Sequence, residues 1–200
     1  MRHWLMTAAL LLCSMVVSAE DFSVDGIYYN ITSETDLTVE VTYQGAGYSA
    51  IDEYSGDVTI PAIVKHDGKT FRVTTIGMYA FYGCANLTSV VIPSSVTTIN
   101  DLAFSSCSGL KSIHIPNSVI EIKQRAFEYC SSLSSLTLPE KLSNVAYELC
   151  MGCSKLESIV IPEGVTSIGV KAFNGCQELQ TINLPNSLTY IGDYAFRICI

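Results

Sequence analysis

The central part of the chain alternates apolar and polar positions in short stretches that predict very short strands. In the segment Leu110–Pro116, Ile113 and Ile115 are separated by a polar residue, which indicates a strand with one buried face. Proline at its end removes a backbone donor and fixes φ, so strand pairing stops there. The apolar residues from Val119 to Phe127 then follow at spacings of three and four. This spacing predicts a short helical turn on the opposite wall.

The same pattern recurs every 23 residues, and a period this strict indicates stacked structural units rather than an enzyme core. No single unit can bury all its apolar side chains, so stability must come from stacking the same residues in columns. One unit has Leu149-Cys150 where the others have Ala-Phe. The repeated positions are Cys84, Cys107, Cys130, Cys153, Cys176 and Cys199; Leu87, Leu110, Leu133, Leu156 and Leu179; Pro93, Pro116, Pro139, Pro162 and Pro185; and Ala80-Phe81, Ala103-Phe104, Ala126-Phe127, Ala172-Phe173 and Ala195-Phe196.

The residues before the repeats have a different pattern, in which alternating segments are separated by turn residues. The segments Gly26–Ile31, Leu37–Tyr43 and Asp57–Pro61 are typical of antiparallel strands. Asp67-Gly68 lies between two apolar runs, which is a strong signal for a β-hairpin.

The pattern divides the chain into three parts. Residues 1–19 are predicted to be a signal peptide, residues 20–73 a small β-rich N-terminal cap, and residues 74–200 the repeats, of which the last is incomplete. Val58–Pro61 also resembles a repeat strand, so the cap merges into the first coil. A cap is expected here because an open apolar end and an unpaired strand edge favour aggregation.

The first 19 residues have the features of a secretory signal peptide. Arg2 provides a positive charge, an apolar run extends from Leu5 to Val17, and small residues precede a cleavage site near Ala19. This run is shorter than the roughly 20 apolar residues of a membrane span, and no later segment approaches that length. Acylation of Cys13 is an alternative that would anchor a lipoprotein, but the apolar run continues past that cysteine. The sequence therefore predicts a secreted or cell-surface protein without a transmembrane span.

The repeat resembles that of the BspA-like leucine-rich repeat family, which are bacterial secreted and surface proteins. The shared motif is I-x-x-x-A-F-x-x-C-x-x-L-x-x-I-x-I-P, and it covers Ile76 to Ile200, nearly two thirds of the chain. The resemblance implies a right-handed repeat solenoid with a parallel β-sheet on one face. It also implies adhesion or binding of host matrix or serum proteins rather than catalysis.

The charge of the chain argues against nucleic acid as a partner. The formal net charge is −8, and it becomes −9 once Arg2 leaves with the signal peptide. Such a chain repels phosphate backbones. Only 15% of the residues are charged, whereas Ser, Thr and Asn are abundant. The exposed faces are therefore expected to be neutral and rich in hydroxyl groups, which suits contact with a protein or a glycan.

The cysteine column predicts buried thiols rather than a metal or redox site. Stacked residues in register lie about 4.8 Å apart, further than the Cβ separation of about 3.8 Å that a disulfide prefers. Cys150 and Cys153 form a C-x-x-C, but no second pair or nearby histidine completes the four ligands of a zinc site. A local disulfide between these two cysteines stays open as an alternative. We expect no cofactor and no metal.

Catalysis has little support among the polar residues. His114 and Ser112 share one strand face, which is part of what a hydrolase site needs. No carboxylate occupies a neighbouring place in the columns to orient the imidazole, as a catalytic triad requires. We therefore predict that the protein is not an enzyme and that His114 is an exposed surface residue.

The outward positions of the repeat strands form the candidate binding face. A rigid array of coils presents such a surface already ordered, so we predict that it binds an extracellular protein or glycan. The candidate residues are Ser89, Val91, Ser112, His114, Ser135, Thr137, Ser158, Val160, Thr181 and Asn183.

Two alternatives to this face stay open. In the first alternative, the array is a non-catalytic structural or assembly module. Its open C-terminal end, at Ile200, then docks another solenoid or a second copy. The cap also contains clustered tyrosines, which either form a recognition patch or fill the core of the cap. They are Tyr28, Tyr29, Tyr43, Tyr48 and Tyr54.

Overall fold

The computed structural model describes residues 20–45 and 53–199 of the chain. The predicted signal peptide with Cys13, and also Tyr48 and Ile200, lie outside the described residues. Within these two ranges the chain forms strands and turns, and no helix is present that could cross a membrane. The strands are β1 Phe22–Val24, β2 Ile27–Ser33, β3 Thr38–Thr42, β4 Gly56–Thr59, β5 Ile63–His66, β6 Lys69–Ile76, β7 Leu87–Val91, β8 Thr98–Ile99, β9 Ser112–His114, β10 Glu121–Ile122, β11 Ser135–Thr137, β12 Asn144–Val145, β13 Ser158–Val160, β14 Ser167–Ile168, β15 Thr181–Asn183 and β16 Tyr190–Ile191.

The front sheet contains one strand from each coil, and its strands run parallel in the order β15, β13, β11, β9, β7 and β4. Pairing advances by one repeat from coil to coil, so Ser112 lies opposite Ser89, and Ser135 lies opposite Ser112. Every coil therefore places the same residue at the same height. This register confirms the solenoid with a parallel sheet on one face.

A second wall of the solenoid, the short ladder, is built mainly from two-residue strands and is interrupted once. The C-terminal residues of β6 pair in parallel with β8, which pairs with β10, and β12, β14 and β16 form a separate group. Among the described residues, no backbone hydrogen bond joins β10 to β12. Ile122 and Val145 are nevertheless buried there, with 4% and 2% of their surface exposed. We call this interruption, between Ile122 and Val145, the seam.

The third wall, the turn wall, consists of turns instead of the short helical turns that the apolar spacing predicts. Two positions in each coil, four residues apart, have positive φ, which interrupts a right-handed helix. The amide of Phe104 donates to Ala126 O of the next coil at 2.8 Å, and that of Ser106 donates to Glu128 O at 2.7 Å. The turn wall thus joins coils much as a sheet does. The positive-φ positions are Tyr79, Leu102, Arg125, Glu148, Lys171 and Tyr194, and Gly83, Ser106, Tyr129, Gly152, Gly175 and Ile198.

Phenylalanine rings stack along the core behind the turn wall. The ring centroids of Phe81 and Phe104 lie 4.9 Å apart, and those of Phe104 and Phe127 lie 5.4 Å apart. After the coil that contains Cys150, the stack resumes with Phe173 and Phe196 at 5.4 Å. Parallel rings at this spacing add to the stability that burial alone provides.

The coil without the Ala-Phe pair keeps a closed core. Leu149 and Cys150 are both fully buried. Leu149 is larger than the alanine of the other coils, whereas Cys150 is smaller than their phenylalanine. The two differences offset each other in volume, so the core remains closed at this position.

The N-terminal cap and the solenoid share strands. β1, β2 and β3 are antiparallel, and β5 and β6 form the expected hairpin, with Asp67 and Gly68 both at positive φ in its turn. The expectation of an antiparallel strand at Asp57–Pro61 is wrong, because β4 pairs in parallel with β7 as the first strand of the front sheet. Its resemblance to a repeat strand is thereby confirmed. β6 pairs with both β3 and β8 and so runs from the cap into the solenoid.

The last described coil exposes side chains of the core type. Leu184 and Ile191 are 47% and 46% exposed, whereas Ile161 and Ile168, one coil earlier, are 3% and 0% exposed. Among the described residues, no later coil stacks on this side. The same columns that are buried elsewhere therefore form an apolar end surface here.

Candidate binding face

The front sheet presents the ten candidate residues as two outward columns. The register pairs Ser135 with Ser158 and Thr137 with Val160, so neighbours in a column lie on adjacent strands. All of these residues are exposed except Ser89, which is half-buried. The first column is Ser89, Ser112, Ser135, Ser158 and Thr181, and the second is Val91, His114, Thr137, Val160 and Asn183.

Asp57 extends the first column at its N-terminal end, where the sequence pattern did not place a functional residue. It lies opposite Ser89 in the register. Its Oδ1 accepts hydrogen bonds from the hydroxyl groups of Ser89 at 2.6 Å and Thr88 at 2.7 Å. These two bonds hold the pKa of the Asp57 carboxyl below its ordinary value. The face therefore carries a fixed negative charge at one end. Alignment of Asp57-Val58-Thr59 with the repeat strands is the signal in the sequence that identifies this residue.

His114 and Ser112 share the exposed face, one on each column, with Ile113 buried between them. Among the described residues, no carboxylate lies within ion-pair distance of the His114 ring. A triad would need a carboxylate there to fix the imidazole. Within the described part of the chain, the His114–Ser112 pair therefore lacks the third group of a triad.

The cysteine column belongs to the core. The thiol of Cys130 donates to Phe104 O at 3.1 Å, and that of Cys153 donates to Phe127 O at 3.0 Å. Burial raises the pKa of the Cys130 and Cys150 thiols well above the usual value, whereas hydrogen bonds from these two thiols lower the pKa of Cys153. In the described ranges, His, Cys, Asp and Glu residues do not assemble into a group of three that could hold a metal ion.

The tyrosines of the cap divide between core and surface. Tyr29 and Tyr54 are buried, with 0% and 4% exposure. The Tyr54 hydroxyl donates to Thr42 O at 2.7 Å and accepts the backbone amide of Tyr28 at 3.1 Å. Tyr28 and Tyr43 are half-buried. Tyr29 and Tyr54 therefore fill the core of the cap, and among the described tyrosines of this group Tyr28 and Tyr43 keep surface for a recognition patch.

The turn wall carries a column of charged residues that the pattern of apolar residues does not predict. The buried carboxylate of Glu148 accepts from Arg125 Nε at 2.6 Å and from Lys171 Nζ at 3.1 Å. The Arg125 guanidinium also lies over the ring of Tyr147, 5.4 Å from its centroid. The three charged residues are one repeat apart, so their spacing in the sequence is the signal that would have revealed them.

The pKa values of Glu148 and of the nearby Glu128 are shifted in opposite directions. Burial by itself raises the pKa of Glu148, but hydrogen bonds from Tyr147, Lys171 and Arg125 outweigh it and hold the pKa below its ordinary value. Burial raises the pKa of Glu128, which the nearby Arg125 offsets only in part. Glu148 is thus an ionised group that joins three coils.

Replacing Glu148 by glutamine is expected to lower the free energy of unfolding at neutral pH by about 1–3 kcal/mol. The lower end applies, because the side chains of Arg125 and Lys171 are 40% and 37% exposed and water screens them. A carboxyl with a lowered pKa stabilises the fold above its unfolded-state pKa, and this contribution is lost as the pH falls through the folded-state pKa.

Urea unfolding of wild type and variant, at neutral pH and at about pH 3, measures this effect. The difference between the two proteins should narrow at the lower pH. The exposed Glu121 on the short ladder supplies the control variant, Glu121→Gln. A difference of the same size at both pH values would contradict the assigned role of Glu148.

Solved structures of bacterial leucine-rich repeat proteins are similar to this chain. The leucine-rich repeat protein of T. pallidum is 28% identical with a TM-score of 0.69, and the match covers 86% of this chain and 82% of that one. A leucine-rich repeat protein from Bacteroides ovatus is 30% identical with a TM-score of 0.54, and the match covers 88% of this chain and 56% of that one. A leucine-rich cell surface protein from Faecalibacterium prausnitzii is 26% identical with a TM-score of 0.56, and the match covers 83% of this chain and 54% of that one.

The repeats themselves identify the family. No protein with a curated description matches the chain. The family model of the BspA type leucine-rich repeat region matches residues 74–200 in six copies, which is more than half of the sequence. The 23-residue motif, the parallel front sheet and this match agree, and the chain belongs to the BspA type leucine-rich repeat family.

Proposed function

We propose that this protein is a secreted or cell-surface binding module that recognises an extracellular protein or glycan through its front sheet. The observation that carries the proposal is the exposure of nine of the ten candidate residues in two continuous columns. Hydroxyl, imidazole and amide groups on these columns donate and accept hydrogen bonds. The proposed role involves no catalytic step.

Rigidity supports this role. The coils are joined by parallel strand pairing on the front sheet and by backbone hydrogen bonds on the turn wall. A surface that is ordered before binding loses little conformational entropy when a ligand arrives. Val91 and Val160, each more than half exposed, add apolar contact area between the polar positions.

The proposed location follows from the predicted signal peptide over residues 1–19, with lipidation at Cys13 as the alternative. The similar protein from Faecalibacterium prausnitzii is described as a cell surface protein, which supports the same location for this one. Host matrix and serum proteins or glycans are the ligands to test first.

Binding of residues 20–200 to a panel of matrix proteins, serum proteins and glycans tests the proposal. We expect the double variant His114→Glu, Asn183→Glu to lose at least about tenfold in affinity, because each new carboxylate brings a charge and its hydration shell into the interface. The matched control is Gln124→Glu, Asn144→Glu, which adds the same charge at exposed positions away from the front sheet. The control should bind like the wild type.

Two results would overturn the role of the front sheet. If the double variant and the control both bind the ligand as tightly as the wild type does, the binding site lies on the cap or the turn wall. If no ligand on the panel binds, while sedimentation shows association that depends on concentration, the assembly alternative would be favoured. The exposed Leu184, Ile191 and Ile198 of the last described coil are the surface that such assembly would use.

A further inference from the structure

A groove lies at the carboxyl edge of the front sheet, where β11 and β13 end. It has a volume of about 560 Å³ and is lined by Thr137, Leu138, Glu140, Val160, Pro162 and Glu163. Thr137 and Val160 belong to the candidate face, so an inference about this groove rests on the proposed function. The groove adds apolar and acidic side chains to that face, which the serine column lacks.

The floor of the groove is apolar. Leu138 is buried with 3% exposure, and Pro162 is half-buried. Val160 lies at the side with 54% of its surface exposed. Strand pairing ends at the prolines, where the chain turns away and leaves this shelf uncovered. An extended aliphatic side chain fits such a surface.

Two carboxylates form the rim. Glu140 and Glu163 both follow the repeat proline and are exposed, one coil apart. Stacked coils are about 4.8 Å apart. Among the described residues, no lysine, arginine or histidine lies within ion-pair distance of either carboxylate. The coils on either side have Asn117 and Asn186 at this position, so among these four coils the position after the proline is negatively charged only in the two that line the groove.

The two like charges therefore lie on neighbouring coils, and no basic side chain of the described residues forms an ion pair with them. A cation bound between them would relieve their repulsion and pair with both. Long basic side chains combine an aliphatic stem with a charged end, which matches an apolar floor with an acidic rim. The net charge of −8 would also attract a basic ligand from a distance.

We propose that this groove binds an arginine or lysine side chain of a protein ligand. The stem of that side chain lies along Leu138, Val160 and Pro162, and its cationic end lies between Glu140 and Glu163. The rest of an extended segment then continues along the two columns of the front sheet. This inference narrows the ligand from any extracellular protein or glycan to a protein with an exposed basic segment.

A short acetylated and amidated peptide with one arginine between serines and glycines is the probe. Titrated into isotope-labelled protein, residues 20–200, it should shift the amide resonances around Thr137–Glu140 and Val160–Glu163. The affinity should fall at least about tenfold in Glu140→Gln, Glu163→Gln, and also when citrulline, which is neutral and of nearly the same shape, replaces the arginine. Binding should weaken steeply with salt.

The charge-matched control is Glu157→Gln, Glu178→Gln, which removes two exposed carboxylates outside the groove. This control should bind the arginine peptide with at most about a twofold loss. An equal loss in both double variants would show that only the overall charge attracts the peptide, and would overturn the inference. Equal binding of the citrulline peptide would overturn it as well.

The panel experiment separates this inference from the proposed function. If a panel ligand binds Glu140→Gln, Glu163→Gln like the wild type but is lost in His114→Glu, Asn183→Glu, the front sheet is the binding face and the groove inference is wrong. If both double variants lose the ligand, the groove is part of the binding face and the inference is supported.

Discussion

Replacing Phe127 by alanine is expected to lower the free energy of unfolding by about 3–5 kcal/mol, the range usual for a buried aromatic residue. Phe127 is fully buried, and its ring stacks on Phe104 at 5.4 Å between centroids. The next coil offers Cys150 rather than a ring, so on that side no aromatic side chain can move into the cavity. Chemical denaturation followed by circular dichroism measures the loss.

Phe196→Ala is the matched control, because it removes the same side chain from the last described coil. Phe196 is only half-buried, although it stacks on Phe173 at the same centroid distance of 5.4 Å. Replacing Phe196 should therefore lower the free energy of unfolding clearly less than replacing Phe127 does. Equal costs for the two variants would show that stability does not follow burial along the phenylalanine column.

The pair Leu149-Cys150 should behave as one unit in a double-mutant cycle. Leu149→Ala alone is expected to cost about 2–5 kcal/mol, since it opens a cavity beside a side chain that is already small. Cys150→Phe alone is expected to cost about 1–3 kcal/mol, because Leu149 occupies the volume that the ring needs. The double variant restores the Ala-Phe pair of the other coils and places a ring between Phe127 and Phe173.

We therefore expect the double variant to be about as stable as the wild type. The coupling energy between the two positions should reach or exceed the upper end of the usual range of about 0.5–3 kcal/mol for residues in contact. Equilibrium denaturation of the four proteins gives this coupling directly. Additive costs would show that the two side chains fill separate spaces and that the compensation in volume is absent.

The front sheet could be predicted from the sequence, because buried and exposed positions alternate in every repeat strand. A period of 23 residues then fixes the register, because coils of equal length place Ile113 opposite Val90 on one side and Leu136 on the other. The turn wall could not be predicted in the same way. Its left-handed positions include Leu102, Arg125 and Glu148, residue types that do not signal positive φ as glycine does.

Only part of the candidate face could be predicted from the sequence. The two columns follow from the strand pattern, but Asp57 lies in a coil whose length departs from the period. Glu140 and Glu163 come after the prolines, in a segment that the strand pattern does not describe. Whether their carboxylates have partners depends on side chains from other coils, which only the folded structure brings together.

The seam between Ile122 and Val145 determines how the solenoid carries a load along its axis. Elsewhere in the described part of the chain two neighbouring coils are joined on all three walls, whereas at the seam the described residues supply backbone hydrogen bonds only on the front sheet and the turn wall. In a linear array each coil is coupled to its neighbours alone, so a tension applied to the two ends passes through every junction in turn. We therefore expect the described coils to separate first at the seam, beside Leu149-Cys150, where the repeat itself is irregular.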